Sequence, residues 1–240
     1  MKTTLTTMMA GAATVAAVTA GTALLASPVE AASPFFTTSV EVGNPTGFLP
    51  GSTLINFDDT LPSGVTLTGG QVVSGTVSGV HAEPNPAAGG NYLTVGPSGS
   101  GNTAGPAILD FTGVGNLLNY YGIYWGSIDT YNTLEFLRDG VSIATFEGSE
   151  FIEPPVVGGS QGPNGSIYVN FKAISPEGWF NQVKLSSSQF AFESDNHAFQ
   201  VVPTPAAVLP GLIGMGTAVF RKKKQDDGAD VAVEPAEANA

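Results

Sequence analysis

Few side chains in this sequence could do chemistry. There are two histidines, His81 and His197, and no cysteine, so disulfides, thiolate nucleophiles and Cys/His zinc sites are excluded. A Ser–His–Asp set would need one of those histidines beside a serine and an acid, and no G-x-S-x-G elbow lifts a serine. Phosphate loops, H-E-x-x-H and dinucleotide fingerprints are also missing. His81 stands in a Gly/Pro loop and His197 in a strand-like stretch beside Asn196, places that suit structural roles. The remaining chemistry is that of oxygen. Paired carboxylates about 5–10 Å apart hydrolyse glycosides, and Glu135 and Glu147 would lie on partner strands of one hairpin. Calcium takes hard oxygen ligands from loops, and "NFDDT" and "FESDNH" offer Asp58, Asp59 and Asp195 together with Glu193 and Asn196. No loop has the D-x-D-x-D-G spacing, and the same acids serve as well as solvated strand ends. Calcium is thus the one cofactor the residues suggest.

The stretch "YYGIYWGSIDTYNTLEF" is the aromatic counterpart. In an alternating strand Tyr120, Tyr121, Tyr124 and Trp125 cannot all point one way. Tyr124, Trp125 and Tyr131 are therefore candidates to stack on sugar rings. The alternative is that they fill the core, with hydroxyl or N–H groups satisfied inside.

The elements that position these residues read as strands. Between 33 and 200 no 3.6-residue periodicity is sustained, and short β-rich runs recur between turn residues. They are Thr53–Phe57, Val65–Thr68, Gln71–Val77, Tyr92–Val95, Ala107–Phe111, Tyr120–Trp125, Thr133–Leu137, Val141–Phe146, Ser166–Phe171, Phe180–Ser186 and Phe190–Glu193 running into Phe199. This spacing predicts an all-β fold, an antiparallel two-sheet β-sandwich of jelly-roll-like type, over 32–200. Asp139-Gly140 predicts a two-residue hairpin turn, with Leu134, Phe136 and Ile143 facing inward. His81–Asn91 and Glu153–Gly165 are long loops.

Composition narrows the partners. The chain of 240 residues has a net charge of −12. From 32 to 202 its only bases are Arg138, Lys172 and Lys184, set against fourteen acids. Such a surface repels phosphate backbones, which argues against nucleic acid.

Both ends carry targeting features. Lys2, the apolar run Met8–Ala26 and Val29-Glu30-Ala31 predict a signal peptide over 1–31, cut after Ala31. At the other end Val202, Pro203, Thr204, Pro205 and Ala206 precede an apolar run, 206–220, and a basic block of Arg221, Lys222, Lys223 and Lys224. A helix over 206–220 would reach about 22 Å, short of a bilayer core of about 30 Å. That suits a transient membrane segment better than a permanent anchor or a core helix. Residues 225–240 form an acidic tail that reads as disordered.

This three-part ending resembles the PEP-CTERM sorting signal, in the Pro-Thr-Pro-Ala variant seen in cyanobacteria. "YYGIYWGSIDTYNTLEFLRDG" and "FAFESDNHAFQ" are similar to segments of exosortase-dependent surface proteins of that group. The resemblance implies that signal peptidase and a membrane exosortase act during export. It implies a secreted or cell-surface location, in bacteria that form biofilms and exopolysaccharide. Family tails stop soon after the basic block, so the acidic tail departs from the pattern. The expectation is a secreted, exosortase-processed surface or matrix protein without catalytic activity. Its alternatives are a carbohydrate-binding module, with or without calcium, and more distantly a glycosidase.

Overall fold

The computed structural model describes residues 33–87, 90–99 and 105–203. The expected signal segment with Ala31, then Thr204, Pro205, Ala206, the run 206–220, Arg221 to Lys224 and the tail 225–240 lie outside the described residues.

The described chain is all-β, with twelve strands: β1 (Phe36–Val42), β2 (Thr53–Ile55), β3 (Thr66–Thr68), β4 (Gln71–Val73), β5 (Tyr92–Val95), β6 (Ala107–Asp110), β7 (Leu118–Gly126), β8 (Asn132–Arg138), β9 (Val141–Glu147), β10 (Ile167–Ala173), β11 (Gln182–Ser187) and β12 (Phe192–Val201). They form two antiparallel sheets. One has seven strands in the order β1-β10-β7-β12-β5-β4, with β2 also paired to β12; the other runs β3-β6-β11-β8-β9. All eleven expected runs form strands. The addition is β1, "FTTSVEV", whose hydroxyl side chains hide its strand character and whose register on β10 runs from Phe36 opposite Ala173 to Val42 opposite Ile167.

Side chains of both sheets meet in one apolar core. Its hub is Phe136 on β8, fully buried. Its ring lies 4.7 Å from that of Phe36 on β1, 5.2 Å from Phe171 on β10 and 4.6 Å from Phe180. Phe36 and Phe171 belong to one sheet and Phe136 to the other, so these contacts join the two layers. Burying one such ring contributes about 1.5–3 kcal/mol.

The hairpin turn forms as its residues demand, with φ of 53° at Asp139 and 80° at Gly140. Its inward face differs from the expectation in one place. The β8–β9 register shifts between Phe136 and Leu137, an irregularity that changes the phase of the partner strand. Ala144 and Phe146 are buried, and Ile143 only borders the core.

The outer face of the seven-stranded sheet is also covered. Along β7, Tyr121, Ile123 and Trp125 enter the core, while Tyr120 and Tyr124 point the other way and are still buried. Their hydroxyls fasten loops. Tyr124 donates to the Pro86 carbonyl at 2.9 Å. Tyr120 donates to Asn170 Oδ1 at 2.6 Å and accepts the Leu49 N–H at 3.0 Å. Tyr168 on β10 donates to the Asn196 carbonyl at 2.9 Å. Between these rings stands Gly122, where a Cβ would lie 2.5 Å from the Tyr120 hydroxyl and 2.6 Å from that of Tyr168.

Candidate functional site

The centre of the site is β12, whose sequence "FESDNHAFQV" is polar yet buried along most of its length. It holds this place because it is an interior strand. β7 lies on one side, and β5 and β2 share the other, pairing at Phe192–Ser194 and His197–Phe199. The register with β7 breaks between Asp195 and Ala198, where Asn196 takes a φ of 43°.

Glu193 lies opposite Gly126 on β7 and Thr94 on β5, with 3% exposure. At Gly126 a Cβ would sit 2.8 Å from Pro84, so the glycine lets the segment after His81 lie close over the sheet. That approach delivers the Ala82 N–H to Glu193 Oε1 at 2.8 Å. The second oxygen, Oε2, has no hydrogen-bond partner among the described residues. Burial, reinforced by the negative charge of Asp129, pushes the Glu193 carboxyl up to about 8. At neutral pH it is mostly a neutral acid.

Around Glu193 opens a cleft of about 300 Å³, at the small end of ligand pockets. Asp129, just beyond β7, lines it; its Oδ2 accepts the Tyr131 hydroxyl at 2.5 Å. Burial raises the Asp129 carboxyl despite that bond. The Phe190 carbonyl lies 3.0 Å from the same hydroxyl, and Phe190, 42% exposed, is another lining residue. The two long loops meet here: His81 and Ala82 come from the first, Gly159 and Gln161 from the second. Asn85 Nδ2 donates to the Gln161 carbonyl at 3.2 Å and ties them together. His81 Nδ1 lies 2.6 Å from the Tyr92 hydroxyl, which itself donates to the Gly75 carbonyl. The hydroxyl proton is thus spent, and the bonding pattern makes Nδ1 the protonated nitrogen. Tyr131 also borders a second, more open depression of about 540 Å³, flanked by Ser98, Thr130, Thr133 and Ser188.

The residues expected from sequence divide clearly. Of the three aromatic candidates, Tyr131 alone reaches the cleft. Trp125 is fully buried and stacked on Phe192, ring centroids 4.3 Å apart and 10° between planes. Tyr124 is buried beneath the loop it fastens, so neither ring offers a face to a sugar. β7 alternates as expected, and loops cover its outer face.

The expected calcium ligands are neighbours in the fold, since β2 pairs with β12 and Ile55 lies opposite His197. Asp58, however, spends its oxygens on a loop, accepting the Asn91 N–H at 2.8 Å on Oδ1 and the Gly90 N–H at 3.1 Å on Oδ2. Asp59 accepts from Asn56 Nδ2 at 3.0 Å. Asp195 accepts the Asn196 N–H at 2.7 Å and is pushed up to about 7 by burial, with Asp58 and Glu83 adding to the rise. Among the described residues no group of three His, Asp or Glu gathers as metal ligands.

The imagined pair of Glu135 and Glu147 does not form a facing couple. Glu135 holds Lys184 Nζ at 2.7 Å, and Glu147 lies opposite Thr133, in a capping box with Glu150. His197 is fully buried, with Nδ1 2.7 Å from the Tyr121 hydroxyl, and burial drops it to about 3. It is a neutral core residue.

Asp129, Phe190 and Gln161 were not anticipated. The signals available were the two long loops, which converge on the cleft, and the acid within "FESDNH". Compared with protein-family models, curated proteins and solved structures, the chain shows no match.

Proposed function

We propose that this chain is an exported, exosortase-processed protein of the cell surface or extracellular matrix. In this reading a jelly-roll-like β-sandwich serves by binding rather than catalysis, and its partner outside the cell is polysaccharide. Signal peptidase and exosortase act on it only during export. The apolar segment 206–220 inserts in the membrane transiently, and nucleic acid is no partner.

One observation supports the reading: among the described residues, every strand lies between the two expected cut points. Among the described residues, the Phe36 N–H donates to the Ser33 carbonyl, two residues beyond Ala31. Just after β12 the Val202 N–H donates to the Leu117 carbonyl at 2.8 Å, where the Pro-Thr-Pro-Ala motif begins. Trimming after Ala31 and within 203–206 would leave every described strand intact. A calcium ion held by Asp58, Asp59 and Asp195 is not part of this proposal, because Asp58 is occupied by the Gly90 and Asn91 amides.

Fractionation of producing cells tests the location. The protein should be found at the cell surface or in the medium, and Pro203→Ala combined with Pro205→Ala should leave it in the membrane. Recovery of the unaltered chain mainly in the cytoplasm would overturn the proposal.

A further inference from the structure

The cleft has a composition that points to one class of ligand. Its lining includes Glu193, 3% exposed, whose buried Oε2 has no hydrogen-bond partner among the described residues. A buried polar atom left without a partner costs about 1–3 kcal/mol, so a ligand that supplies the missing bond is favoured. Asp129 keeps one oxygen beyond the reach of the Tyr131 bond, and Gln161 is exposed at the rim. These groups handle hydroxyls in both directions, donating and accepting. Two aromatic residues, Phe190 and Tyr131, line the same cleft. Rings next to carboxyl and amide groups suit a pyranose, which has C–H faces for the rings and equatorial hydroxyls for the oxygens.

Charge narrows the choice further. Neither Lys nor Arg lines the cleft to pair with an anionic sugar, while Asp129 does line it, beside the mostly neutral Glu193. Uronic acids, sulfated sugars and phosphates are therefore disfavoured, while neutral and amine-bearing sugars are accepted. The second depression, with its hydroxyl-bearing rim, shares Tyr131 with the cleft. The cleft encloses about 300 Å³ and the neighbouring depression about 540 Å³.

We propose that the cleft is a sugar-binding subsite taking one pyranose unit of a neutral or amine-bearing polysaccharide, with Phe190 and Tyr131 as ring platforms and Glu193, Asp129 and Gln161 as hydroxyl partners. This deepens the reading of a polysaccharide-associated surface protein and rests on it only for the source of the glycan. A cytoplasmic location would overturn that reading and leave the binding result standing.

The test is calorimetric titration of the purified chain with neutral gluco-oligosaccharides, chitosan oligosaccharides and polygalacturonate, each in calcium and in EDTA. Phe190→Ala and Gln161→Ala change exposed side chains and leave the fold alone. Glu193→Met removes both oxygens at nearly constant length. Neutral or amine-bearing oligosaccharides should bind equally in calcium and EDTA. Each variant should weaken them about tenfold, the loss of one good contact. If Glu193→Met does not fold, the other two variants still decide. The proposal is overturned if no oligosaccharide binds, if polygalacturonate is preferred, or if the variants bind unchanged. It is equally overturned if calcium alone binds and Glu193→Met abolishes that binding, which would make the cleft a cation site.

Discussion

Glu193→Gln should make this protein more stable in alkali and leave it nearly unchanged in acid. The wild-type carboxyl is displaced from 4.5 to about 8, mainly by burial and further by the charge of Asp129. Unfolded, it ionises near its ordinary value; folded, it keeps its proton to a much higher pH. A group raised in this way lends its full stability below about pH 4.5 and loses it as pH rises towards 8. At about 1.4 kcal/mol per pH unit, the displacement corresponds to about 5 kcal/mol at most. Glutamine reproduces the shape of the protonated acid, and its carbonyl can still accept the Ala82 N–H that Oε1 accepts at 2.8 Å. Asp195, pushed up to about 7, adds a slope of the same sign in both proteins, so it cancels in their difference. Urea unfolding at pH 5 and pH 9 reads the effect. The two proteins should agree within about 1 kcal/mol at pH 5, and the variant should lead by several kcal/mol at pH 9. A variant less stable than wild type at pH 9 would refute the buried-acid assignment.

Two further substitutions test the layers on either side of that strand. Phe136→Ala removes the ring at which β1, β8 and β10 meet and should cost about 3–5 kcal/mol in urea unfolding; a loss below about 1 kcal/mol would mean that the sheets do not share this core. Tyr124→Phe deletes the hydroxyl bonded to the Pro86 carbonyl and should cost about 1 kcal/mol, with faster amide exchange in residues 81–87 and none of it in β8 and β9.

The strands were legible because each follows local rules. β-branched and aromatic runs between Gly, Pro and Asn turns report strands wherever one face is apolar, and Asp139-Gly140 reports its turn directly. β1 escaped because Thr37, Thr38 and Ser39 interrupt the apolar signal, although Pro34 and Gly43 bracket it as they do the others. The choice left open at Tyr124, between stacking on a sugar and burial, has a different origin. Alternation says which side of a sheet a residue occupies, but whether a loop covers that side depends on contacts dozens of residues away, such as Tyr124 to Pro86. The burial of β12 was hidden for a related reason. A strand buried on both faces is normally apolar, so Glu193 and Asp195 read as solvated strand ends, although the run itself reads as a strand through to Phe199. Phe190 and Asp129 carry no motif at all. They become a site only when the turns after β7 and before β12 are brought beside the two long loops.

The central claim is that a folded β domain lies between two disposable ends, and intact mass of the protein recovered from the cell surface and medium tests it most directly. The account predicts a species that begins at Ala32 and ends within Pro203–Ala206. A mature species that retains both Met1 and Ala240, or one cut inside β1 or β12, would contradict it.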